Sequence, residues 1–211
     1  MVKELNIFGD IVSCIENVGE VSPSLVKDQI GSLSSGDELI VNIDCYGGEV
    51  FASVAIRAII KNSQATKTFN ILGICASAAN LLFDENDIVN ISKGAMVMNH
   101  KPAGGLNGTA TEMRSQADML DKIENDILLK NLVARSGKPI EELRTLISNE
   151  WWLTSDEAIF NLGFVGLNSF AVMNHAKTKQ ENIYKNYIEK KKALNVNAFK
   201  QFTNFKKQLH K

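Results

Sequence analysis

The segment Glu38-Leu-Ile-Val-Asn-Ile-Asp44 restricts the fold more than any other part of the chain. Four of its seven residues are aliphatic, a density that suits a mostly buried strand rather than one alternating between core and water. It runs straight into Tyr46-Gly47-Gly48, and beyond the glycines Phe51, Val54, Ala55, Ala58 and Ile59 recur at three- and four-residue spacing. That spacing predicts an amphipathic helix over 49–61. The same order returns between Phe69 and Leu82, where a strand leads through Ala76-Ser77 into small and aliphatic residues that read as a second, buried helix. Strand, turn and helix in series predict an α/β fold, with sheets flanked by helices and chemistry at strand ends.

The rest of the chain extends the pattern. Lys3 to Ile7 and Ile11 to Ile15 read as two short strands broken at Gly9-Asp10. Ser22 or Ser24 caps a helix over 25–30, which Gly31 ends. Ile88 to Ser92 and Ala95 to Asn99 read as strands, and the second delivers His100 to a glycine-rich stretch over 102–108. Thr109 or Thr111 caps a long helix reaching Ala134, with Met113, Ala117, Leu120, Ile123, Ile127 and Leu128 on one stripe. Pro139 starts the next helix, with Ile140, Leu143 and Ile147 inward. Glu150 to Leu153 reads as a link, Thr154 and Glu157 as a capping box, and 164–167 as a last strand. No internal repeat is strong enough to indicate a solenoid.

Composition sets the outer limits. A chain of 211 residues with 45% hydrophobic and 22% charged content suits one globular domain plus a tail. The net charge of −1 conceals an asymmetry: residues 177–211 carry ten lysines against two glutamates, leaving 13 basic and 22 acidic residues before them. A folded domain over 1–176 and a lysine-rich tail over 177–211, helical or partly disordered, are expected. The tail has no arginine, which argues against nucleic-acid binding. The longest nearly apolar run, Ile71 to Phe83, falls short of the roughly 20 residues that cross a bilayer, and no signal pattern opens the chain. A cytoplasmic location without membrane association is expected. Cys14, Cys45 and Cys75 lack disulfide or zinc spacing and read as small buried hydrophobes.

Three residue types suggest chemistry. Ser77 stands at a strand-to-helix junction, where unpaired N–H groups would face an oxyanion formed beside it. His100 alone among the three histidines closes a strand, whereas His175 and His210 lie in or beside the tail. A serine needs a base to take its proton and the base needs an orienting group, usually a carboxylate. Glu150, ahead of Trp151-Trp152, is the candidate, with Asp84, Asp87 and Asp156 as alternatives. Gly47-Gly48 offers an open main chain for an extended peptide and for one oxyanion donor, and Ala78 N–H offers the second. Taken singly, each of these residues also suits a purely structural role.

Together they carry a resemblance. Asp44-Cys-Tyr-Gly47-Gly48-Glu-Val, Gly73-x-x-Ala76-Ser77-Ala78-Ala79, Met98-Asn-His100-Lys-Pro102, Glu150-Trp-Trp-Leu-Thr-Ser-Asp-Glu157-Ala and Gly163-Phe-Val resemble, in order and spacing, the signatures of the Clp protease proteolytic subunit. Within that family they are most similar to the phage-encoded head maturation proteases. The resemblance implies a ClpP/crotonase-like fold of ββα units, with 109–134 as a subunit-packing helix, and a serine endopeptidase enclosed in a homo-oligomeric ring or stacked rings. Ser77 matches the nucleophile, His100 the base, and Gly48 and Ala78 the oxyanion donors. Glu150 stands where the cellular enzymes have an aspartate. No metal or cofactor is implied. The substrates implied are proteins, capsid or scaffold protein in the phage case, cut in the host cytoplasm or a procapsid. The first strand lies close to residue 1, leaving little room for the axial loops that engage a Clp ATPase, which counts against such a partner. A housekeeping subunit working with an ATPase, a crotonase-like acyl-CoA enzyme and a catalytically silent ring protein are the competing expectations.

Overall fold

A computed structural model describes residues 1–167. Seven strands and six α-helices alternate there: β1 (Val2–Phe8), α1 (Pro23–Ile30), β2 (Glu38–Cys45), α2 (Val50–Asn62), β3 (Thr66–Ala76), β4 (Ile88–Ser92), β5 (Met96–Asn99), α3 (Ala110–Lys122), α4 (Leu129–Ser136), α5 (Ile140–Ser148), β6 (Trp151–Thr154), α6 (Ser155–Leu162) and β7 (Val165–Leu167). The expected α/β class is what forms, with a mostly parallel sheet ordered β1-β2-β3-β4-β7. The expected second strand over 11–15 does not form. Ile11 makes isolated bridges to Val21 and Gly48 only. Glu150 to Leu153 is not merely a link, because Trp151–Thr154 pairs antiparallel with β5.

β3 is where the sheet forks. Its first half pairs with β4 over Thr68 to Ile71, and its second half pairs with β5 over Ile74 to Ala76. Gly73 sits at the change of partner, where the Asp44 carboxylate occupies the space a Cβ would need, 2.6 Å away. The register between β2 and β3 shifts after Ile43. There the Ile74 N–H donates to Asp44 Oδ1 at 3.2 Å, a side-chain partner for a main-chain donor at the fork.

A row of amides crosses the sheet. Asn6, Asn42, Asn70 and Asn90 occupy one register on β1 to β4. Asn42 Nδ2 donates to Asn6 Oδ1 at 2.9 Å, Asn70 Nδ2 to Asn42 Oδ1 at 3.1 Å, and Asn90 Nδ2 to Asn70 Oδ1 at 2.9 Å. The sequence carries a sign of it: Leu5-Asn6-Ile7, Val41-Asn42-Ile43, Phe69-Asn70-Ile71 and Val89-Asn90-Ile91 each place one asparagine before isoleucine inside an apolar strand. The repeat is thus a strand motif, too short to read as a structural repeat unit.

The core packs on the sheet face that carries Leu5, Ile7, Val41, Ile43, Phe69 and Ile71, opposite the asparagine row, and takes in Ile56 and Leu132 from the helices. Helix starts follow their caps: Ser22 accepts from Leu25 N–H, and Thr109 and Thr154 form capping boxes with Glu112 and Glu157. Two helices differ from expectation. Ser77–Leu81 is a five-residue 3-10 helix, and the long helix is interrupted by a π-helical segment over Ile123–Leu128. α3 buries none of its residues, and of the expected stripe only the part from Ile123 onward is buried in this chain. The domain boundary near 176, the lysine-rich tail, His175 and His210 lie outside the described residues.

Candidate active site

The site is built at the carboxyl ends of parallel strands, the usual place for chemistry in open α/β sheets. β3 carries the chain in extended form to Ala76, and Ser77 then turns to φ 54° before the 3-10 helix begins. A left-handed serine costs on the order of 1–3 kcal/mol and persists only where its surroundings fix it. Gly47 supplies part of that fixing. At φ +108° it lies so close that a Cβ there would be 2.7 Å from both Ala76 O and Ser77 Cβ. Ile11 N–H donates to Gly47 O at 2.8 Å, and Gly47 N–H donates to the buried Cys45 thiol at 3.2 Å. Gly47 therefore shapes the turn with both of its backbone groups committed. Gly48, at φ +138°, tolerates no side chain because Ile11 O occupies the Cβ position.

β5 pairs with the end of β3 so that Met98 stands opposite Ala76, and His100 follows two residues later, just past the end of the strand. Ser77 Oγ and His100 Nε2 are 2.7 Å apart. With Nε2 accepting, the imidazole carries its proton on Nδ1 and the serine hydroxyl is aimed at a base. The loop beyond is moored: Lys101 N–H donates to Ile147 O, and Lys101 Nζ lies 3.7 Å from the buried Glu124, which Arg144 also holds at 2.6 Å.

Ser77, His100, Gly48 and Ala78 line one cleft of about 230 Å³. Its apolar wall includes Val50, Leu81, Ile123 and Leu128. The last two bound the π-helical segment. In an α-helix a residue five positions on points well away, and the wider i to i+5 turn brings both onto one wall. No residue pattern marks this segment in advance.

Glu150 is placed next to His100 by register but not by contact. Asn99 pairs with Trp151, so Glu150 lies one step beyond that pair, on the side of His100. At φ 55° its carboxylate turns outward and accepts from Trp152 Nε1 at 3.1 Å. Among the described residues no carboxylate is hydrogen-bonded to the His100 ring. Asp84 and Asp87 are corrected as alternatives, since both bind Lys61 on α2, and Asp84 also binds Arg57. Asp156 sits in the first turn of α6. Cys45 and Cys75 are buried as expected, while Cys14 is exposed. Burial pushes the Cys45 thiol up to about 12 and Cys75 well above the usual range. Among the described residues no three His, Cys, Asp or Glu side chains gather as a metal site, and no helix is long and apolar enough to cross a membrane.

The Clp protease family profile matches residues 9–166. The chain belongs to the Clp protease family. Similar proteins include the ATP-dependent Clp protease proteolytic subunit 3 of Rhodococcus jostii (strain RHA1), 26% identical over 149 residues, covering 66% of this chain and 73% of the relative. The ATP-dependent Clp protease proteolytic subunit of Porphyromonas gingivalis (strain ATCC BAA-308 / W83) is 24% identical over 152 residues, covering 67% of this chain and 66% of its own length. As a Clp-family chain with a serine hydroxyl on a histidine, the protein is a ClpP-like serine endopeptidase.

Proposed function

We propose that Ser77, His100 and Glu150 act as a catalytic triad that cuts proteins inside a homo-oligomeric ring. The observation that carries this reading is the 2.7 Å contact between Ser77 Oγ and His100 Nε2 at a serine held in left-handed backbone. A peptide strand lies beside Gly48, and Ser77 Oγ bonds to the scissile carbonyl carbon while Nε2 takes its proton. The N–H groups of Gly48 and Ala78 receive the oxyanion. The C–N bond breaks as His100 returns the proton to the leaving amine, and water then frees the acyl group by the same route. The apolar wall of the cleft favours an apolar side chain before the cut bond. The exposed face of α3, with Met113 outward, suits contact with a second copy.

Capsid or scaffold protein is the proposed substrate, on the resemblance to phage head maturation proteases, with the lysine-rich tail of residues 177–211 as a tether or a cut site. The ATP dependence in the names of the relatives favours a second reading, a subunit that works with an ATPase. The test is a fluorophosphonate probe read by intact mass on wild type, Ser77→Ala and His100→Ala. One adduct per chain on wild type alone is expected. No adduct on a folded, assembled wild type overturns the peptidase reading. Stimulation of proteolysis by a Clp unfoldase would favour the second reading over the first.

A further inference from the structure

Asn80 is buried in the 3-10 helix, three residues past the nucleophile. Its Nδ2 lies 2.8 Å from Met98 O, 3.3 Å from Cys75 O and 3.4 Å from Ser77 O. Its Oδ1 accepts from Cys75 Sγ at 3.4 Å. All three neighbours of the nitrogen are carbonyls, so the amide has only one satisfactory orientation: two N–H protons shared among three acceptors, and the oxygen toward a thiol that burial keeps protonated. The main chain of Asn80 is itself gripped, since Asn131 Nδ2 donates to its carbonyl at 3.4 Å and to that of Phe83 at 3.3 Å.

The three carbonyls are not a random set. One belongs to Ser77, one to the penultimate residue of β3, and one to the residue of β5 two positions before His100. β3 and β5 pair over three positions only, ending at Ala76 and Met98, and Ser77 and His100 lie beyond that pairing. A leucine of similar volume would fill the same space with no buried amide to satisfy. The amide earns its place through what it connects.

We propose that Asn80 is a positioning residue for the reaction, its side-chain amide holding the strained Ser77 turn and the His100-bearing strand in mutual register. This rests on the serine peptidase reading above. Slack of about 1 Å between nucleophile and base costs on the order of 10²-fold in rate, while the cleft wall that receives substrate contains no atom that Asn80 holds directly except at Ser77.

The test compares the full-length wild type with Asn80→Leu and Asn80→Asp, the second retaining the shape but not the amide donor. Saturation kinetics of a fluorophosphonate carrying an apolar group separate its binding constant from its rate of bond formation. Thermal unfolding is measured alongside, and crystal structures give the Ser77 Oγ to His100 Nε2 distance. The expected result is a bond-forming rate lower by about 10- to 100-fold, with probe binding changed less than about threefold and the distance opened beyond hydrogen-bonding range. A lowered unfolding temperature with the rate within about twofold of wild type, measured well below both transitions, would show a merely structural residue and overturn the proposal. A wild type that takes no probe sinks the peptidase reading alone. The crystal distance then decides for Asn80: opened in the variant, it supports the positioning role, and unchanged, it removes it. If one variant does not fold, the other carries the comparison.

Discussion

Gly47 is packed against Ser77 so closely that a methyl group on it would stand 2.7 Å from the serine Cβ. The turn at Ser77 is thus shaped by the absence of a side chain thirty residues earlier in the chain. Gly47→Ala adds both that clash and a disfavoured φ of +108°. It is expected to reduce fluorophosphonate labelling at Ser77 by about 100-fold or more and to destabilise the domain by more than about 1 kcal/mol. Labelling rate and denaturant titration check the two effects separately.

Glu150 and Trp152 give a prediction of opposite sign. The Trp152 indole holds the Glu150 carboxylate away from His100 in an exposed contact, worth about 1 kcal/mol. Trp152→Phe releases it, and a gain of up to about fivefold in labelling rate is expected. Glu150→Gln is expected to lower the rate by about 10²- to 10⁴-fold in wild type and in the Trp152→Phe background alike. A Glu150→Gln protein as reactive as wild type would remove Glu150 from the triad.

Asp84 links the turn after the 3-10 helix to α2. Burial by itself would raise its carboxyl, but the hydrogen bonds from Lys61 and the Asn86 N–H, with the charges of Lys61 and Arg57, outweigh that and hold it below the usual range. A carboxyl lowered on folding adds stability that is fully present above its unfolded value and is lost as the pH falls through the folded one. Asp84→Asn should therefore unfold at lower temperature than wild type at pH 7, and the gap should close below about pH 4. Paired thermal melts across that range read it directly.

The asparagine row makes a stability prediction. Asn42 is fully buried, its Nδ2 donates a hydrogen bond to Asn6 Oδ1 and its Oδ1 accepts one from Asn70 Nδ2. Asn42→Leu removes both bonds at once and is expected to cost about 2–5 kcal/mol, measured by urea unfolding. Replacing the outermost member by Asn90→Leu breaks one bond at a half-buried position and should cost less than half as much.

Much of the site was legible because it depends on residue types with few other uses. A serine between a strand and small residues, a histidine closing a strand and a glycine pair after a buried strand are each placed by local pattern, and the structure brings Ser77, His100 and Gly48 to one cleft. The boundaries of β2 and α2 followed from periodicity and the start of α5 from Pro139, while Ile140, expected to face inward, is exposed. What local pattern could not supply is what depends on partners distant in sequence. Met96–Asn99 pairs with Trp151–Thr154 across some fifty residues, so local pattern shows the tryptophans only as a link. The helix after Ser77 is cut to a 3-10 turn, although its composition alone suits an α-helix. Asn80 carries no sequence signal, because an amide whose partners are main-chain carbonyls leaves no matching side chain to find.

The π-helical segment also divides the long helix into two rods that are out of phase. Before it, α3 turns every residue at least partly outward; after it, Leu129 and Leu132 of α4 enter the core. One extra residue in a turn rotates everything downstream, so the two rods can answer to different neighbours while remaining one covalent element. The outward rod can therefore change with whatever surface covers it, and the inward rod and the cleft wall need not change with it.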